Sequence, residues 1–267
     1  MSSRPPRSKT GLITLMTLSG LMITFTSLVM LPVAAVTLGR ARRWYAAMAT
    51  QTTRIVLRWW GVRLAVHRDG PWPAGQVVYV SNHSSTLDLF ALVAIGLPNT
   101  RFFLSGFLQK YVPLGIIARL MGTFFTVPQD RPEERVRIFQ RALRILQRTG
   151  ESVYLSPEGD RVITGEIGHF NKVAFHLATN LRAPIVPLYF FIPKEVDPRR
   201  GYDARPGTME VTVKAPIDTR AWRVEDVMEN KERVRDLFVA WHRQAWEPHR
   251  AASSEARPAP AAVAAVR

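Results

Sequence analysis

The stretch Gln76-Val77-Val78-Tyr79-Val80-Ser81-Asn82-His83-Ser84-Ser85-Thr86-Leu87-Asp88 changes character in its middle. Residues 76–80 are a short apolar run rich in β-branched and aromatic side chains, of strand length. Residues 86–95 are a longer apolar segment that reads as a helix. A buried strand feeding a helix through a short polar turn is the unit from which α/β folds are assembled. In that turn, side chains reach solvent while a scaffold still holds them.

Outward from this unit the alternation continues. Apolar runs of strand length recur at 61–66, 123–127, 152–155, 185–191 and 209–213, and helical patterns fall at 132–148, 170–179 and 224–246. Pro132 stands in the first turn of its segment and Gly150 just past its end, the usual asymmetry of helix termini. Val224, Val227, Val234, Leu237, Phe238, Trp241 and Ala245 share one face of the last segment, which marks it for docking on the sheet. The pattern predicts an α/β fold with a mixed sheet flanked by helices. One domain is expected over 61–250, preceded by N-terminal anchoring helices over 1–60 and followed by a disordered Ala/Pro/Arg tail over 251–267.

The 267 residues contain no cysteine, which excludes a disulfide framework, thiol catalysis and cysteine-ligated metals. Lys+Arg 36 against Asp+Glu 21 gives a net charge of +15 and calls for an anionic partner: nucleic acid, lipid headgroups or a phosphorylated substrate. The N-terminus selects the lipid. Residues 11–39 carry no Asp, Glu, Lys or Arg, enough helix to cross a hydrocarbon layer of roughly 30 Å at about 1.5 Å per residue. A cleaved signal peptide is the competing reading, but its apolar region normally runs only about 7–15 residues. Arg4, Arg7 and Lys9 precede the apolar run and Arg40, Arg42 and Arg43 follow it, so charge asymmetry gives no orientation. The segment is expected to be a membrane helix, or a hairpin that dips in and returns near Pro32. Residues 44–60 read as a second, amphipathic helix, which suits either the headgroup layer or an ordinary core. Arg135, Arg137, Arg141, Arg144 and Arg148 fall on one helix, either as a solvated face or as a patch drawn to anionic lipid.

The chemistry-bearing residues lie after the strand-like runs. A histidine can take a proton from a hydroxyl, and a carboxylate on its other ring nitrogen fixes the tautomer and stabilises the imidazolium. His83 and Asp88 have the spacing for this, although such a pair alone also fits a capped helix start. The second constellation is Leu155-Ser156-Pro157-Glu158-Gly159-Asp160-Arg161. There Gly159 admits close approach, Arg161 can fork onto phosphate, and Glu158 can accept from a hydroxyl or fix the arginine. The plain alternative is a surface turn with a local ion pair. Ser84 and Ser85 beside His83 raise a nucleophilic-serine hydrolase, which the missing Gly-x-Ser-x-Gly elbow disfavours.

Asn82-His83-x4-Asp88 and Pro157-Glu158-Gly159-x-Arg161, about seventy residues apart and in this order, resemble the first and third motifs of the glycerolipid acyltransferases. That family includes the 1-acylglycerol-3-phosphate acyltransferases. Ala183-Pro184-Ile185-Val186-Pro187-Leu188 is similar to the family's fourth motif, and Phe170-Asn171-Lys172-Val173-Ala174 to its Phe-Lys-x-Gly-Ala stretch. The resemblance implies a glycerol-3-phosphate acyltransferase-like fold, with His83 as base, Asp88 as its partner, and Glu158, Gly159 and Arg161 binding the acceptor. It implies no metal and no cofactor. The acyl donor is expected to be acyl-CoA or acyl carrier protein as a substrate, and the acceptor a membrane lysophospholipid, foremost 1-acylglycerol-3-phosphate.

The second motif departs from the family. Its arginine is replaced after Gly122 by the run to Pro128, with Arg131 three residues late, and an expected lysine appears displaced to Lys110. Asp160 stands where threonine is usual. Arg131, Lys110 and Gly122 are therefore the further acceptor-site expectations. Another lyso-lipid, such as a lyso-ornithine lipid or glycolipid, is the alternative acceptor, and a non-catalytic lipid-binding protein the alternative class. The anticipated location is a membrane with an anionic surface, foremost the cell inner membrane with the site on its cytoplasmic side, and no nucleic-acid partner is expected.

Overall fold

The computed structural model describes residues 7–128 and 130–255, with side chains through Glu247. In chain order the elements are α1 (Lys9–Thr37), α2 (Arg42–Trp59), β1 (Val62–Arg68), β2 (Val78–Ser81), α3 (Leu87–Ile95), β3 (Thr100–Ser105), a 3-10 turn (Gly106–Lys110), α4 (Val112–Leu120) and β4 (Phe124–Thr126). They continue with α5 (Pro132–Thr149), β5 (Ser152–Leu155), α6 (Val173–Leu181), β6 (Ile185–Phe191), β7 (Gly207–Val213) and α7 (Val227–Glu255).

The strands form one sheet in the order β1-β7-β6-β2-β5-β3-β4. Only the β6–β7 pair is antiparallel, so β6, β2, β5, β3 and β4 all run one way. Val78 pairs with Val153 on one side and Ile185 on the other, and Val80 with Leu155 and Pro187. Alternate side chains of a strand point to opposite faces, and here both faces are covered. Val78, Val80, Val153, Leu155, Ile185 and Tyr189 pack under α5, α6 and α7, while Val77, Tyr79, Tyr154, Val186 and Leu188 pack under α1 to α4. Burial on both faces is why these strands read as continuous apolar runs.

Helices α1 and α2 form an antiparallel hairpin closed by polar contacts: Thr37 Oγ1 to Tyr45 OH at 2.9 Å, Thr26 Oγ1 to Thr52 Oγ1 at 2.7 Å, and Trp60 Nε1 donating to Ser19 Oγ at 2.9 Å. The chain does not return near Pro32. Helix α1 continues through it, and the reversal comes at Leu38 and Gly39, both with positive φ. The helix is long and apolar enough to cross a membrane, and 17% of its most apolar window is buried.

The mixed α/β sheet agrees with the sequence expectation, with two additions. Strand β3 and helix α4 were not anticipated; β3 opens with Thr100 and Arg101, which broke its apolar pattern. Helix α7 runs on to Glu255, and the rest of the expected 251–267 tail lies outside the described residues.

Candidate active site

Strand β2 ends at Ser81, and Asn82 extends its ladder with a side chain. Asn82 Nδ2 donates to the Phe190 carbonyl at 2.9 Å and Oδ1 accepts from the Phe190 N–H at 2.8 Å. The buried amide is bonded through both its nitrogen and its oxygen and fixes the direction in which the chain leaves the sheet. His83 follows at the carboxyl ends of the parallel strands, the rim where open α/β sheets place their ligands.

His83 Nδ1 lies 2.8 Å from Asp88 Oδ2. The same oxygen accepts from the Ser84 N–H at 2.7 Å and the Ser85 N–H at 2.9 Å. Asp88 is 2% exposed and stands in the first turn of α3, where the helix dipole favours a negative charge. Held from three sides, it orients the imidazole. Nδ1 is thereby occupied, and Nε2 has no protein partner among the described residues. The His83 side chain is 26% exposed, so Nε2 is the ring nitrogen left open at the rim. Ser84 and Ser85 contribute backbone N–H groups to Asp88, and Ser85 Oγ accepts from the Leu87 N–H. Neither hydroxyl is engaged by His83, which removes the arrangement a nucleophilic serine needs.

Glu158 reaches this turn from β5, next to β2 in the sheet. Its Oε2 accepts from the His83 N–H and its Oε1 from the Gly168 N–H, the latter at 2.7 Å. The His83 carbonyl in turn accepts from the Val162 N–H at 2.8 Å. The carboxyl group thus ties the β2–α3 turn to the loop after β5, with one backbone N–H on each oxygen. Its pKa is raised to about 7: burial raises it most and nearby Asp88 adds to that, while the Gly168 and His83 N–H groups and the His83 charge pull against them. Gly159 has φ +76, and a Cβ there would lie 2.8 Å from Asn171 Nδ2. The space that this glycine leaves open is filled by Asn171, which donates to the Glu158 carbonyl at 3.3 Å.

Arg161 does come to the histidine's neighbourhood, with Nη1 donating to Thr86 Oγ1 at the head of α3. Thr86 also anchors the β6–β7 connection: its N–H and its Oγ1 both donate to the Arg199 carbonyl, at 2.9 Å and 3.1 Å. Thr86 and Arg199 had no signal in the sequence, since only the packing of distant loops gives them a role. Lys110 and Arg131 follow β3 and β4 on the same rim, two and three strands from β2, which at about 4.8 Å per strand is roughly 10 and 14 Å. Lys110 Nζ lies 5.3 Å from the Phe107 ring, and Arg131 Nη1 lies 3.6 Å from Glu134 on the exposed start of α5. The structure does not bring Gly122 to the site. It precedes β4 at the opposite edge of the sheet, where its carbonyl accepts from Arg101 Nη1 at 3.1 Å.

The arrangement could serve general-base chemistry: one imidazole nitrogen is oriented by Asp88 and the other is open, on a turn braced by two buried carboxylates. Among the described residues, no three His, Asp or Glu side chains are grouped to hold a metal ion.

Residues 63–190 match the family model described as Acyltransferase. A 1-acyl-sn-glycerol-3-phosphate acyltransferase of Saccharomyces cerevisiae is 34% identical over 166 residues, covering 61% of this chain and 54% of the yeast protein. The alpha form of that enzyme from Bos taurus is 26% identical over 197 residues, covering 69% of this chain and 64% of the bovine one. The chain thus spans between about half and two thirds of the length of these curated relatives. The crystal structure of the 1-acyl-sn-glycerophosphate acyltransferase from Thermotoga maritima superposes with a TM-score of 0.60 at 18% identity, over 84% of this chain and 97% of that one, a likeness of fold.

Proposed function

We propose, from the match of residues 63–190 to the Acyltransferase family model, that the protein is a membrane-associated O-acyltransferase acting on a lysophospholipid, foremost 1-acylglycerol-3-phosphate, to give phosphatidic acid. The observation that carries this reading is the 2.8 Å contact between His83 Nδ1 and Asp88, which leaves Nε2 open at the rim of the sheet. Nε2 takes the proton of the acceptor hydroxyl as its oxygen attacks the thioester carbonyl of acyl-CoA or acyl carrier protein. The C–O bond forms, the tetrahedral intermediate collapses, the C–S bond breaks, and the proton passes from His83 to the departing thiolate. Asp88 holds Nδ1–H throughout and stabilises the imidazolium. A thioester is already activated, so no acyl-enzyme is needed and the protein's task is alignment and proton transfer.

Arg161, beside Thr86, is the cation best placed for the acceptor's anionic head. Helix α1, with its exposed apolar face, supports membrane association, and the chain's net charge of +15 suits an anionic cytoplasmic surface such as that of a cell inner membrane. One observation favours a second acceptor class: Arg131 is paired with Glu134, so the phosphate has fewer cations than the family motif provides, which suits a lyso-ornithine lipid or glycolipid.

The test is a panel of lysolipids with radiolabelled acyl-CoA and purified protein in detergent. His83→Ala is expected to lose a factor of about 10²–10⁴ in rate. Arg161→Ala is expected to raise KM for the acceptor about tenfold or more while leaving that for the thioester unchanged. Wild type and His83→Ala equally inactive on every acceptor, with both still binding lipid, would leave the non-catalytic reading.

A further inference from the structure

The sheet has a second functional edge. A cavity of about 810 Å³ opens beside the amino ends of β3 and β5, at the end of the strands away from His83, where α1 turns into α2. Arg40, Arg42 and Arg43 line it from the turn and the head of α2, and Arg54 from one side. Its charge is unbalanced. Among the described residues Glu151 is the only carboxylate on the lining, and each of its oxygens already holds an arginine, Oε1 Arg42 at 2.5 Å and Oε2 Arg101 at 2.6 Å. Arg40 and Arg43 are exposed and pair with no carboxylate among the described residues, and Arg42 Nε is buried with no partner among them. The lining also offers Trp44, 37% exposed, and just before Arg40 in the chain the end of α1 leaves Val36 and Leu38 86% and 73% exposed.

A basic hollow bordered by a tryptophan and aliphatic side chains fits a ligand that is anionic at one end and greasy at the other. Guanidinium groups fork onto phosphate oxygens, and Trp belongs at the level of lipid headgroups. We propose that this cavity binds the phosphate of an anionic membrane phospholipid, a lipid distinct from the one acylated at His83, and so fixes how the domain sits on the bilayer. The proposal rests on the membrane association proposed above.

The experiment is flotation of the full-length protein with vesicles of phosphatidylcholine alone or doped with phosphatidylglycerol. Wild type is expected to prefer the doped vesicles. Arg40→Glu and Arg43→Glu should each reduce that preference at least about fivefold, and together roughly thirtyfold, the effect of a basic side chain at an anionic surface. Binding to pure phosphatidylcholine, driven by α1, and acyl transfer in detergent should be unchanged. Reversing Arg141 and Arg144, exposed on α5 across the sheet, should leave the preference intact. A preference that survives the double reversal, or falls equally with the α5 pair, overturns the headgroup site alone. Displacement by inorganic phosphate at matched ionic strength replaces the lipid with a free anion and overturns it too. Wild type that binds neither vesicle defeats the membrane reading and this proposal with it.

Discussion

Glu151 and Glu158 stand at opposite ends of the same strand, 6% and 7% exposed, and differ in what neutralises them. Glu151 lies between two arginines. Burial pushes its pKa up, but the hydrogen bond and charge of Arg101, with the charge of Arg42, outweigh it, and the net shift is downward. Glu158 meets only backbone N–H groups and a histidine, and burial wins, raising it to about 7. Similar exposure therefore gives a carboxyl group held low at one end and a raised one at the other, since Glu158 is the more deeply surrounded by protein and is the one without an arginine. A full opposite charge offsets desolvation where partial charges do not.

Removing each carboxylate tests the contrast. Glu151→Ala leaves Arg101 buried and uncompensated, and about 3 kcal/mol of stability should be lost in urea titrations while kcat per folded molecule stays unchanged. A loss below about 1 kcal/mol would mean that Arg101 finds water and the edge is less closed than it looks.

The pH windows should also differ in direction. The raised pKa of Glu158 means that the unfolded chain ionises first, so stability falls as pH rises from the ordinary carboxylate range to about 7 and then levels off. The lowered pKa of Glu151 means that its contribution is present above the ordinary carboxylate range and is lost on acidification below it. Melting temperatures of Glu158→Gln between pH 5 and 8 should lack the decline expected of wild type, and Glu151→Gln should keep it. Parallel profiles for all three proteins would refute the contrast.

A smaller effect is expected at Gly159→Ala, about 1–3 kcal/mol, because φ +76 disfavours a side chain and Asn171 fills the space. A loss of activity without loss of stability there would return Gly159 to substrate binding. The smallest effect is Arg131→Ala, where breaking an exposed pair costs between about 0 and 1 kcal/mol and KM for the acceptor should shift less than about twofold. A tenfold rise would show that Arg131 swings into the site during turnover.

What could be read in advance tracks sequence separation. His83 and Asp88 are five residues apart, and a turn entering a helix brings them together whatever the rest of the chain does. Glu158 was recognisable as a site residue but not as a brace, because its partners His83 and Gly168 lie 75 and 10 residues away on other loops. Strand β3 escaped notice because Arg101 looks wrong inside a buried strand; it is tolerated only because Glu151 waits at the start of the neighbouring one. Gly122 was placed by motif spacing alone, and the fold sends it to the other edge, against Arg101.

The sequence by itself determined the apolar strands, the α/β alternation, the apolar first helix and the His83–Asp88 pair, since each depends on local periodicity or on a few residues of chain. The tertiary structure alone decided which carboxylate ties down the histidine's turn, which arginine reaches it, and that a second, basic hollow opens at the opposite edge. Those outcomes depend on the order and register of parallel strands, set by packing both faces of the sheet at once, and no short stretch of sequence carries that information.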